Sequence, residues 1–203
     1  MDKIICIGKN YPAHAAELGD KQPEQPVLFL KPPSSLRQLS SANITIHLPP
    51  GDIHHELEVV FRLNTNPEGS KGLFSEFTLG LDLTRRDLQS NLKKNGHPWE
   101  IAKVFTDSAI VGPWFKWGEW DKHWKNEFSL EVNGQRRQVG KVQQMLWSAE
   151  RCLDLAAQYF PILPGDLLFT GTPTGVGPLH SGDCLQMKWG ATCVGPEIKI
   201  IEH

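Results

Sequence analysis

The chain lacks the features that mark nucleic-acid-binding and membrane proteins. Its 203 residues carry 21 Lys and Arg against 23 Asp and Glu, so no positive excess is available to bind phosphate backbones. No apolar run approaches the roughly 20 residues of a membrane span, and the run that follows Met1 is too short for a signal peptide. We therefore expect a cytoplasmic protein with neither a nucleic acid nor a membrane as its partner.

Cysteine is scarce and shows no pattern. No two of the four cysteines form a Cys-x-x-Cys pair, which excludes the common zinc-site spacings. In a chain with no export signal, we expect reduced thiols rather than disulfides. The four are Cys6, Cys152, Cys184 and Cys193.

Short apolar runs separated by turn residues predict a protein built mainly of strands. Two such runs are Val27–Lys31 and Ile44–Leu48. Asn133 and Gly134 separate two further runs, and this pair predicts a type I′ hairpin turn because both residues tolerate a positive φ. Strands do not alternate regularly with helices, so we expect an α+β, predominantly β fold rather than a doubly wound sheet. The length favours one catalytic domain over residues 1–203.

Two segments have helical patterns. Apolar residues recur at helical spacing over residues 142–160, which predicts one long amphipathic helix. Thr84 precedes a polar segment that runs to about Lys94, and a threonine in that place predicts an N-cap.

The motif His-His-Glu-Leu-Glu points to a metal site. Glu56 and Glu58 occupy alternate positions of an apolar run, and alternate side chains of a strand share a face. Burying two neighbouring carboxylates is unfavourable unless a cation lies between them, and a divalent ion with oxygen ligands meets that need. The alternative is a solvent-facing pair, which is common on antiparallel strands.

Asp82 is the candidate third ligand. It ends a strand-like run, Thr-Leu-Gly-Leu-Asp, where a carboxylate can project beyond the sheet. Three carboxylates form an oxygen-only set, which favours Mg²⁺ or Mn²⁺ over zinc. Alternatively, Asp82 is an ordinary helix-capping residue.

Three further residues could carry proton transfers. His14 and Glu17 are three apart, so a helical turn would place them on one face, where Glu17 can orient the imidazole as a general base. Lys103 lies among apolar residues and could balance the carboxylates or donate a proton. Alternatively, His14 and Glu17 are a surface pair and Lys103 is an ordinary surface lysine.

Two other patterns favour modest roles. The glycine-rich stretch after Thr170 lacks the phosphate-binding lysine, so it is either a tight turn or a loop whose backbone and Thr172 face a substrate carboxylate. Four tryptophans recur at short spacing, which indicates core packing or a subunit contact rather than a ligand box. They are Trp114, Trp117, Trp120 and Trp124.

In their order along the chain, these segments resemble the fumarylacetoacetate hydrolase family, specifically its compact acylpyruvase-like branch. The resemblance implies a mostly β fold around a mixed-sheet roll, a homodimer, and a Mg²⁺ or Mn²⁺ site. The matching segments are GKNYPAHAAE, PVLFLKP, HHELE, LGLDLTRRDLQ, PWEIAK, VNGQRRQVG, LPGDLLFTGTPTGVG and SGD.

The resemblance also implies residue roles and an activity. It implies hydrolysis of a carbon–carbon bond in a 3-acylpyruvate such as acetylpyruvate or fumarylpyruvate, with oxaloacetate decarboxylation and keto-acid isomerisation as alternatives that share an enolate. A non-catalytic metal- or small-molecule-binding domain is the alternative of another class. By position, the metal ligands are Glu56, Glu58 and Asp82, the catalytic residues His14, Glu17 and Lys103, and the substrate contacts Lys31, Arg86, Gln89 and Thr172.

Overall fold

A computed structural model describes residues 1–17, 24–40, 42–64 and 73–202, except for the side chains of residues 14–16. Its strands are β1 Ile4–Gly8, β2 Val27–Lys31, β3 Leu36–Gln38, β4 Ile44–Leu48, β5 Ile53–His55, β6 Leu57–Leu63, β7 Phe74–Asp82, β8 Thr84–Arg85, β9 Ala109–Val111, β10 Phe115–Lys116, β11 Phe128–Val132, β12 Gln135–Gly140, β13 Leu167–Phe169, β14 Gly177–Pro178, β15 Cys184–Trp189, β16 Thr192–Cys193 and β17 Ile198–Glu202.

The helices are short. In the described ranges four are α-helices: α1 Pro12–Glu17, α2 Arg86–Lys94, α3 Trp120–His123 and α4 Ala149–Ala156. Single 3₁₀ turns occupy Pro33–Ser35, Glu100–Ala102, Trp117–Glu119 and Val142–Gln144. No helix in the described ranges is long and apolar enough to cross a membrane.

The strands form three sheets. An eight-stranded sheet has the order β2-β1-β13-β6-β7-β9-β3, with β10 added beside β7. A six-stranded sheet has the order β12-β11-β15-β17-β4, with β16 beside β15, and a small third sheet has the order β14-β5-β8. Most pairs are antiparallel, but β1 with β13, β3 with β9 and β4 with β17 run parallel. The predicted α+β, predominantly β fold with mixed sheets is confirmed.

The main core lies between the two large sheets. Leu57, Val59 and Phe61 of β6 belong to this core, as do inward residues of β11 and β15. Val60 belongs instead to a second apolar cluster on the opposite face of the same sheet. This alternation follows from the pleat of a strand and assigns even-numbered residues of β6 to the face away from the main core.

The predicted hairpin is confirmed. Asn133 and Gly134 have φ values of 53° and 75°, as a type I′ turn requires, and they join β11 to β12. The aromatic stripe contributes to core packing, as one of its two interpretations predicted. Trp117 stacks on Trp120 at a centroid distance of 5.5 Å, and Trp120 meets Phe61 at 5.1 Å.

The prediction of one long helix over residues 142–160 is wrong. Only a 3₁₀ turn and the eight-residue α4 form, with Met145 in an extended conformation between them. Asn10 explains the break, because its backbone and side-chain oxygens accept the N–H groups of Leu146 and Trp147 at 2.8 and 2.9 Å. These tertiary bonds replace intrahelical ones, and the Ser148 hydroxyl then caps α4.

The predicted N-cap is also wrong. Thr84 lies in β8, and α2 begins at Arg86 with Arg85 in the cap position and no side-chain capping bond. The Thr84 hydroxyl donates instead to Glu56 Oε1 at 3.1 Å.

The buried carboxylate of Asp166 fixes the start of the chain to β13. It accepts the backbone N–H groups of Asp2, Lys3 and Leu163, as well as the Lys3 ammonium at 2.8 Å. Burial alone would raise the pKa of Asp166, but the hydrogen bonds from Lys3 and the backbone outweigh it, and the pKa lies below its ordinary value of 3.8.

We predict that Asp166→Asn lowers the free energy of unfolding by about 2–3 kcal/mol at pH 7, because the amide cannot satisfy four donors. Urea denaturation measures this difference. Because the pKa is lower in the folded state, the contribution is complete above pH ~4 and is lost as the pH falls through the folded-state pKa. The difference between the two proteins should therefore shrink in acid. Exposed Asp154→Asn on α4 is the control, and an equal loss in that variant would contradict the prediction.

Candidate metal centre and active site

The pleat of β6 and β7 brings three carboxylates together. Glu56 immediately precedes β6, Glu58 is the second residue of β6, and Asp82 ends the neighbouring β7. Their ligand oxygens lie within 4.8 Å of one another, and all three side chains are buried. The backbone joins the two strands here as well, since the Asp82 N–H donates to the Glu56 carbonyl at 2.9 Å. The solvent-facing interpretation of the Glu-x-Glu pair is wrong.

A glycine opposite Glu58 keeps this face open. Gly80 is the register partner of Glu58 across the β6–β7 pair. A Cβ at Gly80 would lie 2.6 Å from the Ile110 carbonyl oxygen and 2.8 Å from Val60 Cγ2. The strands can therefore approach closely only because residue 80 has no side chain.

Two carboxylates of the cluster are paired with cations. The Lys103 ammonium lies 2.8 Å from Glu56 Oε2 and 2.6 Å from Asp82 Oδ2, and Arg86 pairs with the other oxygen of Glu56. Burial alone would lower the pKa of Lys103, but the charges of Asp82 and Glu56 outweigh it and raise the pKa above its ordinary value. Lys103 is therefore a protonated ammonium in this position.

Lys31 contacts the carboxylate cluster from the protein interior and not from the adjacent cavity. It is fully buried, with its ammonium 2.7 Å from Asp82 Oδ1 and 2.6 Å from the Ser108 carbonyl oxygen. It does not line the adjacent cavity. Its position favours charge compensation from the protein interior, and its role as a substrate contact remains a prediction. A lysine that ends a strand gives no indication in the sequence of the direction in which it points.

Glu58, unlike Glu56 and Asp82, has no cationic partner among the described side chains. Its Oε2 accepts the Gly171 N–H at 2.7 Å, and no cationic side chain in the described part of the chain forms a salt bridge with it. Burial, followed by the charges of Asp82 and Glu56, raises the pKa of Glu58 well above its ordinary value. A buried carboxylate without a cation is costly, so the cluster has an unmet requirement for positive charge.

The donor set fits a divalent cation. All candidate ligands are carboxylate oxygens, which suit Mg²⁺ or Mn²⁺. Asp82 Oδ1 is close to Lys31, but the two groups lack hydrogen-bond geometry, and the oxygen makes no hydrogen bond. Glu58, a buried carboxylate without a cationic partner among the described side chains, lies beside Glu56 and Asp82, and a bound cation would compensate its charge. Glu56, Glu58 and Asp82 would hold it.

The glycine-rich loop after Thr170 contacts the carboxylate cluster through Gly171. Gly171 has a φ of +94°, and a Cβ there would lie 2.9 Å from Asn10 Cβ. Its N–H donates to Glu58, so this backbone group is not available to a substrate carboxylate, and the substrate-facing interpretation of the rest of the loop remains a prediction. The Thr172 hydroxyl donates to the Leu57 carbonyl at 2.8 Å and accepts from Gln138 Nε2 at 2.8 Å.

Gln138 was not found from the sequence. Its Oε1 lies 2.8 Å from His55 Nδ1 and accepts the Leu57 N–H at 2.9 Å, so it orients the segment between Glu56 and Glu58. Burial, only partly offset by the Gln138 contact, lowers the pKa of His55. The role of a glutamine 80 residues away along the chain has no local sequence signal.

A cleft of about 490 Å³, including its open mouth, leads to the carboxylates. Arg86 and Gln89 line it and bond to each other at 2.7 Å, and Thr172 and Lys103 line it as well. The complete lining is Ile7, Gly8, Lys9, Val27, Phe29, Glu56, Glu58, Asp82, Arg86, Gln89, Lys93, Trp99, Lys103 and Thr172.

The predicted general-base dyad, His14 and Glu17, is only partly described. Glu17 does not line this cleft, and its carboxylate accepts the N–H of Gly175 on the glycine-rich loop at 3.1 Å. The side chain of His14 lies outside the described part of the chain. The pairing of His14 with Glu17 remains a prediction.

Comparison with known proteins identifies the family. The family model described as fumarylacetoacetate (FAA) hydrolase C-terminal matches residues 3–196. The chain belongs to the fumarylacetoacetate hydrolase family. The resemblance found in the sequence motifs is therefore confirmed.

Members of the family with different named activities are similar to this chain. Oxaloacetate tautomerase YcgM of Escherichia coli K12 is 36% identical over 195 residues, covering 93% of this chain and 89% of the relative. A mitochondrial oxaloacetate decarboxylase of Dictyostelium discoideum is 32% identical over 189 residues, covering 91% and 87%. Fumarylpyruvate hydrolase from Pseudomonas aeruginosa, solved with Mn²⁺ and pyruvate, matches with a TM-score of 0.88 and 30% identity, covering 99% and 90%.

We predict that Glu58→Gln weakens Mn²⁺ binding by on the order of 100-fold, because it removes an anionic ligand. In the presence of EDTA its melting temperature should be unchanged or higher, since the uncompensated charge is gone. Calorimetric titration and thermal unfolding measure the two effects. Glu131→Gln is the matched control, because Glu131 pairs with Lys188 in the six-stranded sheet. Undiminished Mn²⁺ affinity in Glu58→Gln would contradict the metal assignment.

Proposed function

We propose that this protein interconverts the enol and keto forms of oxaloacetate or a closely similar 2-oxo acid. The observation that carries the proposal is the group of three buried carboxylates with the Lys103 ammonium against two of them, at the base of the cleft. This arrangement combines a site for a divalent cation with a proton-bearing group. Both accelerate the enolisation of a 2-oxo acid, because the cation stabilises the enolate oxygen and the ammonium can exchange a proton.

In the enol-to-keto direction, the enol O–H bond breaks and a C–H bond forms at C3, and a Lys103 that gives its proton to C3 recovers one from the enol hydroxyl. A bound divalent cation supplies Lewis-acid stabilisation of negative charge on substrate oxygens. Lys103 holds a proton at Nζ and faces the same cleft, so it can donate a hydrogen bond to the reacting end of the substrate or deliver a proton. Glu56 and Asp82 keep this ammonium charged and fixed in position.

The position of Glu17 favours tautomerisation over hydrolysis. Hydrolysis of an acylpyruvate requires an activated water, and the general-base dyad expected for that step is His14 with Glu17. In the described structure, Glu17 bonds to Gly175 outside the cleft. Tautomerisation needs no attacking water. The 36% identity with the named tautomerase supports the same order.

The test is the decay of enol absorbance when oxaloacetate enol is added to the protein in the presence of EDTA and after Mg²⁺ or Mn²⁺ is restored. We expect metal-dependent acceleration without pyruvate release. Lys103→Met should reduce the rate by roughly 10²–10⁴-fold. Lys188→Met is the matched control, because Lys188 also pairs with a glutamate but lies outside the cleft. Thermal unfolding verifies that both variants are folded.

Two results would overturn the proposal. The first is an enol decay rate equal to that of buffer with metal. The second is stoichiometric pyruvate release at the rate of oxaloacetate loss, which would identify a decarboxylase instead.

Hydrolysis of 3-acylpyruvates is the second candidate. It is favoured by the structural match to a fumarylpyruvate hydrolase over 99% of this chain. Under this candidate Glu17 moves to the cleft and orients His14 when substrate binds. Glu17→Gln should then abolish most pyruvate release from acetylpyruvate and spare oxaloacetate tautomerisation, with exposed Glu150→Gln as the control. If acetylpyruvate gives no pyruvate with the unaltered protein, this candidate fails.

A further inference from the structure

The peptide between Thr170 and Gly171 is hydrogen-bonded on both of its sides. Its N–H, which belongs to Gly171, donates to Glu58 Oε2 at 2.7 Å. Its carbonyl oxygen, which belongs to Thr170, accepts the side-chain amide of Asn10 at 2.8 Å. Among the described residues, Gly171 provides the one hydrogen bond to the Glu58 carboxylate. The orientation of Glu58 therefore depends on the orientation of this peptide.

The side chain of Asn10 has a single favourable orientation. It is fully buried, its Oδ1 accepts the Trp147 N–H at 2.9 Å, and its Nδ2 donates to the Trp147 carbonyl at 3.1 Å as well as to Thr170. The backbone carbonyl of Asn10 also accepts the Leu146 N–H at 2.8 Å. The reverse orientation of the amide would set Oδ1, which cannot donate, against two carbonyl oxygens. Asn10 therefore presents a fixed N–H donor to the Thr170 carbonyl.

Other contacts position Thr170 but do not orient the peptide that follows it. The N–H and the hydroxyl of Thr170 both donate to the Val59 carbonyl of β6, at 3.2 and 2.8 Å. The plane of the next peptide is set by rotation about Thr170 ψ and Gly171 φ, and a glycine resists such rotation least. Asn10 opposes this rotation because it bonds the carbonyl of the peptide itself. The two residues also touch, since a Cβ at Gly171 would lie 2.9 Å from Asn10 Cβ.

We propose that Asn10 is a positioning residue for the metal centre, and that it directs the Gly171 N–H at Glu58 by bonding the other side of the same peptide. Hydrogen bonds that follow one another through a peptide polarise each other and strengthen together. The inference rests on the metal assignment that the proposed function also needs. It does not depend on whether the reaction is tautomerisation or hydrolysis.

Asn10→Ala should weaken Mn²⁺ binding on the order of tenfold, as the loss of a group that orients a metal ligand does. The full chain is titrated with Mn²⁺, and the free ion is measured by electron paramagnetic resonance. Thermal unfolding verifies that the variant is folded. Asp166→Asn is the matched control, because Asp166 also bonds distant backbone groups but lies at the other end of β13. Its Mn²⁺ affinity should stay within about twofold of that of the unaltered protein.

The Glu58→Ala background distinguishes a positioning role from a general structural role. If Asn10 acts through Glu58, Asn10→Ala has no ligand left to misplace in this background. We therefore expect it to change the remaining Mn²⁺ affinity by no more than about twofold. A general structural role would produce the same loss with and without Glu58.

A second measurement needs no variant, and it decides the question if Asn10→Ala does not fold or if Glu58→Ala takes up no Mn²⁺. Mg²⁺ is added to the unaltered protein, and the amide resonances are followed by nuclear magnetic resonance. A cation at Glu58 changes the bond from Gly171, so we expect the Gly171 N–H and the Asn10 Nδ2 resonances to shift together. The side-chain amide of Asn126, which donates to the Lys122 carbonyl at 2.9 Å outside the cleft, is the internal control.

The outcomes distinguish the positioning role from the metal assignment. Undiminished Mn²⁺ affinity in Asn10→Ala, an equal loss in Asp166→Asn, or Asn10 resonances that do not respond to Mg²⁺ would each refute the positioning role and leave the proposed function standing. If the unaltered protein takes up neither Mn²⁺ nor Mg²⁺, the metal assignment fails, and both proposals fail with it.

Discussion

The register between β6 and β7 is the constraint on which this molecule depends. Leu57 pairs with Leu81 and Val59 with Leu79, and all four side chains lie in the main core. The same register places Glu58 opposite Gly80, on the other face. A slip of one residue would exchange the two faces, so that a carboxylate entered the core and a leucine entered the cleft. The burial that stabilises the sheet therefore also positions the carboxylates.

The unequal distribution of charge around the carboxylates follows from their positions. Glu56 and Asp82 lie at strand ends, where side chains from α2 and from the 3₁₀ turn before Lys103 can reach them. Glu58 lies inside β6 and is covered by the loop after β13, which offers only a backbone N–H. The protein therefore provides cations for two of three ligands. A divalent cation held by the three carboxylates would compensate the third and stabilise this face of the sheet.

Patterns within a strand could be read from the sequence because they are local. The period of two in β6 predicted that Glu56 and Glu58 share a face, and the strand-end position of Asp82 predicted its proximity. Asn133 and Gly134 likewise specified their own turn. Local patterns failed where distant residues intervened. Asn10 takes two backbone donors from the predicted long helix, 136 and 137 residues further along the chain. No local pattern reveals such a competitor.

The base of the cleft and its walls have separable tasks. Under either proposed activity, the carboxylates and Lys103 would meet the 2-oxo acid end that oxaloacetate and acylpyruvates share, so they could not by themselves distinguish these compounds. Discrimination must come from groups that meet the part of the substrate that differs. Phe29, Gln89 and Trp99 line the same cleft outside the group of carboxylates and Lys103.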